Sequence, residues 1–425
     1  MHYRQRIIDG LLDEAMEDLP AIAIEGAKGV GKTATASRRA KTVLSLNEPR
    51  TREVVSGNYD LPVEVDPPVF IDEWQLEPQV WERVRQAVDE DPTAGGRFLL
   101  AGSAGISEGT RIHSGAGRII KLTMRPMALS ERGVEVPTVS MRALFDNQDS
   151  TSISGTTSLT VRDYVEEILR SGFPGIREIP SRNRGRQLDA YLARIVDHDL
   201  PEIGITVRRP AALRAWLSAY AAATSTNADY TKILNAATAG EIDKPARETV
   251  SSYREHLQRL FILDPVEAWT PAFSPLKRLT LSPKHHLVDP ALAARLIGVG
   301  AEGLIVGEGK RVSTTTGTWL GALFESLAIQ SIRVHAEAMN ATVGHLRTKN
   351  GDREIDAIVE AQDMSCIAFE VKLSDTVADA DVKHLLWLKH QLGNRVRDLV
   401  ILNSGQYAYR RPDGVAVIPL ALFGP

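Results

Sequence analysis

Up to about Gly133, short apolar runs alternate with stretches of helical period. Ala21-Ile22-Ala23-Ile24, Val69-Phe70-Ile71 and Phe98-Leu99-Leu100-Ala101 are brief and almost wholly apolar. Such runs read as strands buried on both faces, and with helices between them they predict a parallel α/β sheet. Residues 147–160 are polar, small and without period, as in a mobile linker. Helical stretches then fill 161–199, broken at Ser171-Gly172-Phe173-Pro174-Gly175, a turn by its chemistry. Three further helices are expected over 211–223, Tyr230–Ala237 and 249–260, the last with Val250, Tyr253, Leu257 and Leu260 on one face. Strand-like segments at 261–263 and 278–281 would complete a winged helix. The tail returns to mixed periods. Trp319, Leu320, Leu323, Phe324 and Leu327 mark an amphipathic helix, strands are expected at 354–359 and 366–372, and a helix follows with Leu385, Leu386 and Leu388. The expected division is 1–135, 136–205, 206–303 and 304–425.

The chemistry enters between the first strand and the next helix. Gly26-Ala27-Lys28-Gly29-Val30-Gly31-Lys32-Thr33 fits G-x-x-x-x-G-K-[ST], the P-loop. Glycines allow the backbone to close around phosphate oxygens, and successive N–H groups with the following helix favour an anion. Lys32 is expected on the β- and γ-phosphates and the Thr33 hydroxyl on Mg²⁺. The alternative is a glycine-rich turn with no ligand. Asp72-Glu73 ends the second apolar strand in the Walker B manner. Asp72 is the expected Mg²⁺ partner, and Glu73 the group that orients or deprotonates the attacking water. Ser103, at the end of the third strand, is a candidate sensor of the γ-phosphate. Arg118 is the candidate arginine finger and Arg125 a second choice, with a surface salt bridge as the alternative for both. A finger acting across subunits would need a homo-oligomer.

A second constellation lies near the C-terminus. Glu325 sits on a helix, Asp356 on one strand, and Glu370 and Lys372 share one side of the next. This order matches the PD-(D/E)xK nuclease pattern. Asp356 and Glu370 would hold Mg²⁺, Lys372 would position the nucleophile or neutralise the developing oxyanion, and Glu325 would complete the shell. The alternative is an inactive interaction module retaining a structural ion pair.

Composition narrows the classes. The net charge of −4 and pI near 6.2 give no global basic field, so any nucleic-acid contact must be local. Lys277, Arg278, Lys284, His285 and His286 form a modest basic patch beside the expected wing, with the histidines read as surface residues; DNA reading and domain packing stay open. Asp289 before Pro290 reads as a helix cap. A single cysteine, Cys366, excludes a disulfide framework and fits a reducing cytoplasm. No apolar run is long enough for a bilayer.

The chain resembles the prokaryotic ATP-binding proteins that join an AAA-type ATPase domain to a C-terminal domain of unknown function with a restriction-endonuclease-like core. The residues that carry the likeness are 26–33, Phe70-Ile71-Asp72-Glu73-Trp74-Gln75, Leu100-Ala101-Gly102-Ser103, Gly117-Arg118, Gly172-Phe173-Pro174, Pro283-Lys284, Asp289 and the Glu325/Asp356/Glu370/Lys372 set. The resemblance implies ATP as nucleotide, with Mg²⁺, in a bacterial or archaeal cytoplasm. It also implies a helical lid over the nucleotide, placed at 161–199. No N-K-x-D guanine-reading motif is present. Three functions are compatible with the sequence: an ATPase gating a DNA-processing nuclease, a nucleotide-switched DNA- or partner-binding regulator with a silent endonuclease-like domain, and a defence or toxin-like effector.

Overall fold

The computed structural model describes residues 3–102, 115–146, 153–238, 247–271, 282–306, 319–348 and 351–425. The chain forms two compact units. One comprises Met1–Arg125, Ala193–Pro210 and Ser252–Ile262; the other comprises Pro126–Leu192, Ala211–Ser251 and Leu263–Pro425.

In the first unit the apolar runs become the centre of a parallel sheet. Its strands are β1 (Ala21–Glu25), β2 (Thr42–Ser45), β3 (Val69–Asp72), β4 (Phe98–Gly102) and β5 (Ile120–Thr123), in the order β2-β3-β4-β1-β5. All neighbouring pairs are parallel. β1, β3 and β4 bury side chains on both faces, which is why they read as unbroken apolar runs. The helix Pro78–Glu90 has Pro78 in its first turn and buries Val80, Trp81, Val84, Ala87 and Val88 along one stripe. Those residues pack with Ala21, Ala23, Val69, Ile71, Phe98 and Leu100 in one core. Trp74 and Trp81 stack there with centroids 4.4 Å apart.

The second unit is built on a seven-stranded mixed sheet. Besides β6 (Val139–Ser140), it contains β7 (Gly155–Thr156), β8 (Thr342–Arg347), β9 (Glu354–Glu360), β10 (Cys366–Lys372), β11 (Val396–Asn403), β12 (Tyr407–Arg410), β13 (Ala416–Pro419) and β14 (Phe423–Gly424). The sheet order is β7-β12-β13-β11-β10-β9-β8, and β14 pairs with β6 apart from it. β8, β9 and β10 form an antiparallel meander. The helix Asp379–Leu392 then crosses so that β11 returns parallel to β10. That helix sets Val382, Leu385 and Leu388 against Ile355, Ile358, Ala368, Val396 and Ile401. The helix Trp319–Glu337 contacts β8, β9 and β10 and is buried along most of its length.

Several expectations need correction. The linker at 147–160 is only partly linker. Residues 147–152 lie outside the described residues, but Gly155 and Thr156 form β7 at the sheet edge, and Thr160 caps the next helix by accepting from the Asp163 N–H. A glycine and a threonine on a two-residue edge strand leave no alternation to detect. The segment 261–263 is not a wing strand. Phe261 has φ 57° and Leu263 makes only a single bridge with Leu287, while 278–281 lies outside the described residues. The helices Pro210–Ala222, Tyr230–Ala237 and Arg247–Arg259 do form.

Candidate functional site

The phosphate-binding motif sits at the carboxyl end of β1, a strand flanked by β4 and β5 within the sheet. Ligands of open parallel sheets bind at such strand ends. Gly26 has φ 153°, and a Cβ there would lie 2.1 Å from the Met124 carbonyl oxygen, so only glycine fits. Gly29 and Gly31 also have positive φ. Lys32, nearly buried, donates from Nζ to the carbonyls of Gly26 (2.7 Å) and Ala27 (3.0 Å). Burial pushes its pKa down to about 8, although Glu73 and Asp72 pull the other way.

The Thr33 hydroxyl donates to the Asp72 carboxylate at 3.0 and 3.1 Å. A hydroxyl from the loop and a carboxylate from β3 therefore converge from elements two strands apart in the sheet. Burial raises the Asp72 pKa, with Thr33 acting against it. Glu73 follows with φ 53° and accepts a hydrogen bond from Gln75. Gly102 closes the same corner, since a Cβ there would stand 2.7 Å from Gln75 Oε1 and 2.9 Å from Trp74 Nε1. These donors fit a magnesium–triphosphate: an oxygen pair for the cation, a buried ammonium, and a cradle without side chains.

Other assigned residues stand differently. Ser103 lies outside the described residues. The Arg118 guanidinium is half-exposed and bonds Asp89 on the helix Pro78–Glu90 at 2.8 Å, the surface-bridge alternative. The Arg125 carbonyl accepts from Arg6.

Three partners of the loop, Arg6, Asp199 and Glu202, had no signature in the sequence. Arg6 is buried and donates to the carbonyls of Val30 and Arg125, both at 2.8 Å. Its backbone N–H bonds Asp9, which also receives Tyr3 and Arg39, so the first helix is tied to the loop. Lys28 pairs with Asp199 and Glu202, each at 2.7 Å. An arginine near the N-terminus and acids 171 or 174 residues downstream give no local pattern to find.

In the second unit two of the four C-terminal residues, Glu325 and Asp356, meet around a fifth, Lys284, while Glu370 pairs with Lys372. Lys284 Nζ lies 2.7 Å from Asp356 Oδ1, 2.6 Å from Glu325 Oε1 and 3.6 Å from Glu354 Oε1, and its side chain is 2% exposed. The Glu325 contact is an ion pair without hydrogen-bond alignment. Asp356 Oδ2 accepts the Val371 N–H at 2.8 Å, and Lys372 stands 3.4 Å from Glu370. Burial, then repulsion from Asp356, pushes Glu325 up to about 8 and Glu370 well above the carboxylate range. Burial pushes Asp356 the same way, but Lys284 and Lys372 outweigh it and hold its carboxyl below the usual range.

The expected magnesium does not fit this arrangement. The ammonium stands between Glu325 and Asp356, and the other Asp356 oxygen is committed to the backbone. Among the described residues no group of three or more His, Cys, Asp or Glu side chains is set to hold a metal ion. The surface basic patch is likewise corrected: Lys284, His285 and His286 are all buried. His285 packs edge-on against Tyr220 and Tyr230 and bonds the Ala228 carbonyl at 2.7 Å. Lys277 and Arg278 lie outside the described residues. Asp289 caps its helix as expected, and its second oxygen accepts the Gly172 N–H at 2.7 Å.

Residues 18–132 match the family described as AAA domain. Residues 161–303 and 320–423 match two domains of unknown function, DUF8612 and DUF4143. No curated protein matches the chain. Among solved structures it is similar to the Walker-type ATPase PABY2304 of Pyrococcus abyssi, with 16% identity and a TM-score of 0.39, over 68% of this chain and 94% of that one. The N-terminal part of the chain, residues 18–132, is thus similar to an AAA domain. No described helix is long and apolar enough to cross a membrane.

Proposed function

We propose that the chain binds ATP with Mg²⁺ in the 26–33 loop and hydrolyses it. The observation that carries this is the convergence of Thr33 and Asp72 beside a buried Lys32 at the end of β1. The cation, when bound, would screen the phosphate oxygens and withdraw charge from the bond that breaks. Gly26 to Gly31 would present backbone N–H groups to the phosphates. Lys32 would exchange two carbonyl partners for phosphate oxygens, a stronger charge-assisted bond. Glu73, at the head of the turn after β3, would hold the attacking water and accept its proton. Glu73→Gln should keep ATP affinity and lower turnover by about a hundredfold or more. Single-turnover hydrolysis unchanged in that variant would remove Glu73 from the reaction.

For the C-terminal unit the sequence points to a PD-(D/E)xK-like core and leaves open whether it is a nuclease gated by hydrolysis or a silent module. Its layout supports the core: a helix bearing Glu325, an antiparallel meander bearing Asp356 and Glu370, a crossing helix and a parallel strand. The position of Lys284 instead favours the second possibility, a nucleotide-switched regulator that binds DNA or a protein partner through a silent endonuclease-like domain. The cytoplasm is the compartment this reading implies.

A further inference from the structure

We infer that the Lys284 ammonium is the built-in counter-ion of the C-terminal carboxylate cluster, occupying the place of a divalent cation, and that deleting it turns the cluster into a cation site. This rests on the silent-domain reading above and deepens it.

Lys284 is not a flexible surface lysine that happens to reach inward. Its N–H donates to the Val266 carbonyl at 2.8 Å, and its own carbonyl accepts from the Val266 N–H at 2.9 Å. The residue is therefore held by backbone on a short antiparallel bridge. Its neighbour His285 is anchored by ring and backbone, the N–H donating to the Thr226 carbonyl at 2.9 Å. From this fixed base the side chain runs inward to a point shared by the helix Trp319–Glu337 and β9.

Charge explains why a cation is needed there. Glu325, Glu354 and Asp356 all face Nζ, and Glu370 and Lys372 add an acid and a base at the next strand. Buried carboxylates repel one another unless a positive group stands among them. An ammonium satisfies that need at 2.6–2.7 Å. Mg²⁺ would need oxygens at about 2.0–2.1 Å in an octahedral shell, so ammonium and metal cannot share the position. Removing the ammonium while keeping its shape apolar leaves hard oxygen ligands facing an uncharged space, the donor set that Mn²⁺ or Ca²⁺ prefers.

The test uses the full-length chain without nucleotide and titrates Mn²⁺ by electron paramagnetic resonance. Wild type should show no Mn²⁺ binding that Asp356→Asn removes. Lys284→Met should bind one Mn²⁺ with a Kd of about 1 mM or tighter, and Lys284→Met/Asp356→Asn should lose it. The melting temperature of Lys284→Met should fall in chelator and recover with Mn²⁺. Two results overturn the assignment: a folded Lys284→Met that binds no Mn²⁺, or a wild type whose bound Mn²⁺ disappears with Asp356→Asn. The wild-type arm decides even if Lys284→Met fails to fold. Magnesium-dependent plasmid cleavage by wild type would defeat the silent-domain reading separately, while the counter-ion assignment is judged by Mn²⁺ binding.

Discussion

Lys32 illustrates how one buried charge sets both stability and ligand affinity. Its ammonium is buried against two carbonyls, and burial lowers its pKa to about 8. The unfolded chain binds a proton more tightly, so between pH 8 and the ordinary lysine value stability should rise with pH. Nucleotide affinity has the opposite sign, because a triphosphate favours the charged form and raises this pKa. Affinity should be flat below pH 8 and fall by up to about tenfold per pH unit above it. Calorimetry in buffers of different ionisation enthalpy should then show proton uptake on binding at pH 9. Binding without proton uptake there would mean that the lysine is already charged at that pH in the free protein. The meeting of Thr33 and Asp72 is legible in the sequence because each belongs to a local motif that follows or ends an apolar strand. In the sequence Lys284 reads as a surface residue because a lysine beside two histidines looks polar, and its acidic partners lie 41 to 72 residues later.

At the scale of elements, strand runs buried on both faces announced themselves, and β1, β3 and β4 fall where the apolar pattern put them. The single-bridge segment at Leu263 and the edge strand β7 did not, since their placement depends on partners distant in sequence. The same holds for the tie between the first helix and the phosphate loop. Arg6→Ala would leave the Val30 and Arg125 carbonyls without this donor in a buried setting. It should destabilise the N-terminal unit by about 1–3 kcal/mol, read in urea melts, and weaken ATP binding as the loop loosens. Unchanged stability would show that water replaces the guanidinium at no cost.

For the whole molecule, the two compact units divide the chemistry. The N-terminal sheet carries the residues proposed to bind nucleotide, and the C-terminal sheet carries an acid cluster with a lysine among its carboxylates. The chain should therefore hydrolyse ATP with Mg²⁺ while leaving supercoiled plasmid intact, and Lys372→Ala should alter neither result. Nicking by wild type that Lys372→Ala removes would restore the nuclease mechanism.

The 26–33 loop is proposed to grip a triphosphate. Isothermal titration of ATP with Mg²⁺ into wild type and Lys32→Ala tests it most directly. Saturable one-site binding by wild type, weakened by about a hundredfold or more in a folded Lys32→Ala, is the expected result. Equal binding by both proteins, or none by wild type, would contradict it.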